Sequence, residues 1–114
     1  MKTYAMALDL IDDENIISEY EEYHNNVWPE VLESIKKLGI HRMRIFRISN
    51  RMFMLIEADD SYDPNNLMEY SNTNEKADEW NNIMMKFQQK VPGALPDEWW
   101  ASMKQVFDSE ISSN

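Results

Sequence analysis

Apolar and polar residues alternate from Met1 to Leu10, with Tyr4, Met6, Leu8 and Leu10 on one side and Thr3, Ala5, Ala7 and Asp9 on the other. A period of two marks a half-buried strand, so the chain is predicted to open on one. Asp12 and Asp13 then offer side-chain oxygens to exposed helix N–H groups. Beyond them Ile16, Ile17, Tyr20, Tyr23, His24 and Val27 recur at steps of three and four, which predicts a first helix. It breaks near Asn25 and Asn26, because Pro29 has no N–H to continue the spiral yet suits the first turn of a new one. Pro29 to Leu38 carries the next apolar stripe in Val31, Leu32, Ile35 and Leu38. Lys36 and Lys37 favour its negative end, and Gly39 stands where a left-handed cap belongs.

Met43 to Ile48 and Met52 to Ala58 are apolar, β-compatible runs separated by Ser49, Asn50 and Arg51, which predicts a hairpin with a tight turn. Asp59 to Asn66 is polar, contains Pro64 and reads as a loop entering a short helical turn at Leu67 to Tyr70. Asn72 or Thr73 can cap a longer helix whose Ala77, Trp80, Ile83, Met84 and Phe87 share a face. Pro92, Gly93 and Pro96 stiffen the chain after it, Trp99 to Phe107 suits a last strand, and Glu110 to Asn114 reads as a frayed tail. The order β, α, β, β, α, β is the split βαβ arrangement of an α+β protein, with an antiparallel sheet and both helices on one face. The second face is left bare. Such a face is covered by another copy or lines a ligand pocket, and a homodimer is predicted.

With 114 residues the chain supports one core, and it is read as a single domain over residues 1–114. Its 11 basic and 21 acidic residues leave a net charge of −10, which argues against a nucleic-acid partner. No window approaches the roughly 20 apolar residues of a membrane span, and Tyr4 to Leu8 is too short for a signal peptide, so a cytoplasmic location with no membrane partner is expected. The absence of cysteine removes disulfides, thiolate nucleophiles and thiolate metal sites. Charge is uneven as well: Asp12 to Glu33 holds eight acids and no Lys or Arg, while Ser34 to Arg51 holds six bases and no acid. These tracts read either as solvated surface or as patches that meet across a dimer contact.

His24 is the first candidate for chemistry, since imidazole exchanges protons near neutrality. Tyr20 lies one turn earlier on the same face, near the end of the helix. Spacing alone leaves His24 either a catalytic group at a pocket mouth or a hydrogen-bonded boundary residue. His41, at a loop-to-strand junction, is a weaker candidate. Two histidines among scattered carboxylates have no metal-ligand spacing such as HExxH, so no metal is expected. Gly-rich phosphate loops and the GxSxG elbow are missing too. Trp28, Trp80, Trp99 and Trp100 suit a sugar, whose C–H faces stack on indoles, although Trp80 fits core packing equally well. In a strand Trp99 and Trp100 would point to opposite faces.

The stretch Tyr20-Glu-Glu-Tyr-His24-Asn-Asn-Val-Trp28-Pro29-Glu30 resembles the Y-x-x-x-H-N-x-x-W-P-E signature of the L-rhamnose mutarotase family. The resemblance continues through Gly39-Ile-His41, Ile45-Phe46, the hairpin at Asn50-Arg51, Trp80 with Met84, and Val106-Phe107. It implies a dimeric ferredoxin-like fold of the α/β-barrel type, with C-terminal strands helping to join protomers. By the same resemblance His24 corresponds to the proton donor, Tyr20 to a sugar-contacting tyrosine, and Trp80 to the first of a tryptophan pair at the substrate. Asn81 stands where the second tryptophan is expected, and Met43 where another sugar-contacting tyrosine is expected. The pattern E-W-x-x-x-M-x-x-F-Q-Q, from Glu79 to Gln89, resembles the branch associated with L-fucose.

The implied activity is interconversion of the α and β anomers of a 6-deoxy sugar, L-rhamnose or L-fucose, by acid–base ring opening without a cofactor. His24 is then the general acid, Tyr20 and Asn81 contact hydroxyls, and Trp80 packs on the apolar sugar face. Glu57, His41 and bound water stay open as the base. Two rivals are a cofactor-independent monooxygenase on the same fold and a non-catalytic sugar-binding module.

Overall fold

A computed structural model describes residues 1–110. Apart from Glu110, the expected tail from Glu110 to Asn114 lies outside the described residues. Three helices, α1 (Glu14–His24), α2 (Pro29–Lys37) and α3 (Glu75–Met85), accompany five strands, β1 (Lys2–Leu10), β2 (Ile40–Ile48), β3 (Arg51–Ala58), β4 (Gln88–Gln89) and β5 (Ala101–Ser102). A 3-10 segment, Pro64–Asn72, precedes α3. The sheet is antiparallel in the order β2-β3-β1-β4, and β5 also pairs with β1. This is the ferredoxin-like split βαβ arrangement, with the last strand position shared by two short pieces.

Register explains the layering. Met6 pairs with Met54, Leu8 with Met52 and Ile45 with Met54, so these side chains share the face beneath the helices. Leu8, Leu10, Ile56 and Ala58 are fully buried there, and each leucine or isoleucine contributes about 1.5–3 kcal/mol by leaving water. The opposite face presents Ala5, Ala7, Phe46, Ile48, Phe53 and Leu55. Phe46 and Ile48 are exposed on it.

Local chemistry fixes the helix ends that shape the site. The Asp13 carboxylate accepts from the backbone N–H groups of Asn15 at 2.8 Å and Ile16 at 3.2 Å, starting α1. Pro29 opens α2 after Trp28, so the chain turns directly behind His24. Gly39 has φ of +91°, the left-handed exit expected of it. Asn74, rather than Asn72 or Thr73, caps α3 by accepting from Ala77 N at 2.7 Å. Thr73 is instead engaged by the Ser34 hydroxyl, which ties α2 to the approach of α3.

Several boundaries differ from the sequence reading. β2 starts at Ile40, three residues before Met43, with an irregularity between Ile40 and Arg42. The hairpin turn is Ser49 and Asn50 alone, Ser49 adopting φ of +52°, and Arg51 already belongs to β3, where it pairs with Asp9. Helix α3 ends before Phe87, because Gln88 and Gln89 leave to pair with Leu10 and Asp9. The predicted strand from Trp99 to Phe107 shrinks to Ala101–Ser102. Trp99 and Trp100 precede it and both pack on the core, so the expectation of opposite faces fails with the strand that motivated it. The acidic and basic tracts meet within the protomer, where Arg47 Nε donates to Glu21 at 2.8 Å. Among the described residues no helix is long and apolar enough to cross a membrane.

Candidate functional site

A cavity of about 780 Å³ opens between the helix-side face of the sheet and α1, α2 and α3. Tyr20, His24, Met43, Trp80 and Asn81, the five residues singled out from the sequence, all line it. His24 is the last residue of α1, so its ring stands at the helix end while Tyr20 lies one turn inside. The two rings are 4.4 Å apart between centroids. Trp80 reaches them from α3, its ring 5.4 Å from that of His24 and 5.2 Å from that of Trp28. Trp80 is therefore both core and cavity wall: it is buried, and it holds the imidazole in place by edge-to-face contact.

The hydrogen bonds define which atoms are available. The backbone carbonyl of Tyr20 can only accept, so His24 Nδ1 donates to it at 2.9 Å and carries a proton in every charge state. Nε2 has no hydrogen-bond partner among the described residues. Burial among apolar groups lowers the His24 pKa, opposed in part by the bond to Tyr20, so the neutral ring is favoured. The same desolvation pushes the Tyr20 hydroxyl up to about 12 and raises Tyr70, which keeps both phenols protonated. Tyr70 Oη donates to Asn81 Oδ1 at 2.9 Å, and the Asn81 amide nitrogen donates to Met85 Sδ at 3.5 Å. Met43 contributes an apolar thioether from β2 where a polar tip was expected of the position.

Two suggested bases fare differently. Glu57 sits on the opposite sheet face beside Arg44, at 3.8 Å, and does not border the cavity. The β register removes it, since its neighbour Ile56 is the residue that points toward the helices. His41 borders the cavity, but its Nε2 is engaged by the Asp59 carboxylate. Sequence reasoning missed Tyr70 and Gln88 as cavity residues. Tyr70 falls in a segment with no clear period, whereas Gln88 carried a usable signal: a polar residue directly after an apolar helix face that includes Met84.

A ferredoxin-like α+β frame with an aromatic, polar-tipped pocket between sheet and helices defines a small-molecule site on a small protein. The chain belongs to the L-rhamnose mutarotase family, whose sequence profile matches residues 3–109. It is 44% identical to a UPF0734 protein of Dictyostelium discoideum, over 94% of this chain and 89% of that protein. Identity to an L-fucose mutarotase of Xanthomonas campestris pv. campestris is 34%, over 94% of this chain and 87% of that protein. An L-rhamnose mutarotase of known structure from Formosa agariphila shares the fold, with a TM-score of 0.67 over 96% of this chain and 100% of that one at 21% identity.

Proposed function

We propose that this protein is an aldose mutarotase that interconverts the α and β anomers of a 6-deoxy sugar, L-fucose or L-rhamnose. Family membership supports the reaction class, and the observation that carries the site is the close approach of the His24 and Tyr20 rings, 4.4 Å between centroids, on one cavity wall. Ring opening needs a proton removed from the anomeric hydroxyl and one supplied to the ring oxygen. Neutral His24 takes the first at Nε2. As the bond from the anomeric carbon to the ring oxygen breaks and the carbonyl forms, the Tyr20 hydroxyl gives its proton to that oxygen. The bond next to the carbonyl turns, and closure reverses both transfers, with protonated His24 returning its proton to the carbonyl oxygen. The acid role expected of His24 belongs to this closing half. Asn81 hydrogen-bonds a sugar hydroxyl, Trp80 and Met43 contact the apolar face and methyl group, and no cofactor enters the balance.

The protein acts in this reading as a cytoplasmic homodimer, with the outer sheet faces stacked. Support comes from the exposed Phe46 and Ile48 beside half-buried Phe53 and Leu55, and from Met103, Val106 and Phe107, which are exposed after β5. The test of function is magnetization-exchange NMR between the anomers of L-fucose and of L-rhamnose. Faster exchange of at least one sugar is expected; binding without acceleration would support the sugar-binding module, and dioxygen consumption with a polycyclic phenol the monooxygenase.

A further inference from the structure

We infer that Gln88 is a positioning residue that fixes the Tyr20 hydroxyl as a hydrogen-bond donor toward the sugar, an inference that rests on the mutarotase reading. The reasoning is one of obligatory polarity. An indole N–H can only donate, so the 2.8 Å bond from Trp99 Nε1 ends on Gln88 Oε1. This sets the orientation of the carboxamide and turns its nitrogen the other way, where Nε2 lies 3.5 Å from Tyr20 Oη. An amide nitrogen also only donates. Tyr20 Oη is therefore the acceptor, and its own proton is directed away from Gln88.

The surroundings protect this order. Gln88 is 8% exposed and Tyr20 4%, so both are packed against neighbouring side chains, and both border the cavity. The Gln88 main chain is held in register with Leu10, and its side chain is held by an indole from the segment that leads into β5. A donor at the sequence position of Trp99 thus controls, through Gln88, which way a proton points on α1.

Gln88→Glu keeps the size of the side chain and can still accept from Trp99, but as a carboxylate it offers Tyr20 no proton and draws the hydroxyl toward itself. In NMR exchange assays of the full chain with L-fucose and L-rhamnose, the variant is expected to lose about tenfold in kcat/KM near neutral pH. The deficit relative to wild type shrinks as pH falls, because a protonated carboxyl can donate again. Added to Tyr20→Phe, Gln88→Glu causes little further loss, since the group it would misorient is gone. Losses that multiply in the double variant, or a deficit indifferent to pH, overturn the inference. Trp99→Phe releases Gln88 without burying a charge and answers the same question should Gln88→Glu not fold: its loss is expected to vanish in the Tyr20→Phe background, and a loss that persists there overturns the inference. A folded wild type that accelerates neither sugar refutes the mutarotase reading instead, so the two failures are distinct.

Discussion

The backbone carbonyl of Tyr20 receives the Nδ1–H of His24 at 2.9 Å, so a single residue aims the imidazole with its main chain and offers a hydroxyl to the cavity with its side chain. The coupling follows from helix geometry, because residues four apart stack on one face. It also makes the pair independent of loop motion, since both members belong to α1.

His24→Ala is expected to slow anomer exchange by about 10²–10⁴-fold, the usual worth of a positioned acid–base group. Circular dichroism should stay that of the wild type, because the ring stands at the end of α1. An alanine variant with undiminished exchange removes His24 from the mechanism.

Acid stability supplies a second check. The folded-state pKa of His24 lies below its ordinary 6.5, so as pH falls past that value the unfolded chain binds a proton that the folded one refuses. Its contribution to stability is fully present above 6.5 and is lost as pH drops toward the lowered value. His24→Gln should therefore lose less stability than wild type when urea denaturation at about pH 7.5 is repeated at about pH 5.5. Parallel losses in the two proteins would contradict the burial argument.

Tyr70→Phe removes the donor that holds Asn81 Oδ1. With Oδ1 released, the Asn81 carboxamide at the cavity wall is no longer held in one orientation, while the proton-transfer groups are untouched. Steady-state exchange kinetics should show KM raised about three- to tenfold with kcat nearly unchanged. A fall in kcat alone would place Tyr70 in the chemistry instead.

Phe46→Asp combined with Ile48→Asp should yield a folded monomer by analytical ultracentrifugation, against the homodimer proposed for wild type. Ile48 is 78% exposed and Phe46 49%, so charges there cost the isolated protomer little, while opposed carboxylates across a stacked interface repel. A double variant that sediments as a dimer excludes this face as the contact.

Much of this was legible in the sequence. The alternation around Met6 and Leu8, the Pro29 restart and the Gly39 cap each had one local cause, and each gave the right element. Helical spacing alone placed Tyr20 and His24 on one face of α1, whereas only the resemblance to the family signature set Trp80, on α3, beside them. What stayed hidden depends on distant partners. Asn74 became the cap of α3 because Ser34 engages Thr73, a choice no local window contains. The strand at Gln88–Gln89 exists only because Asp9 and Leu10 present an open edge to it. Glu57 looked usable until register put it on the far side of the sheet.

The divided last strand has its own consequence. Since β4 and β5 grip β1 at separate points, the chain between Gln89 and Ala101 is an excursion anchored at both ends, and it brings Trp99 back against Gln88. From that excursion Trp100 alone borders the cavity, so a substitution there reshapes the chamber without altering α1.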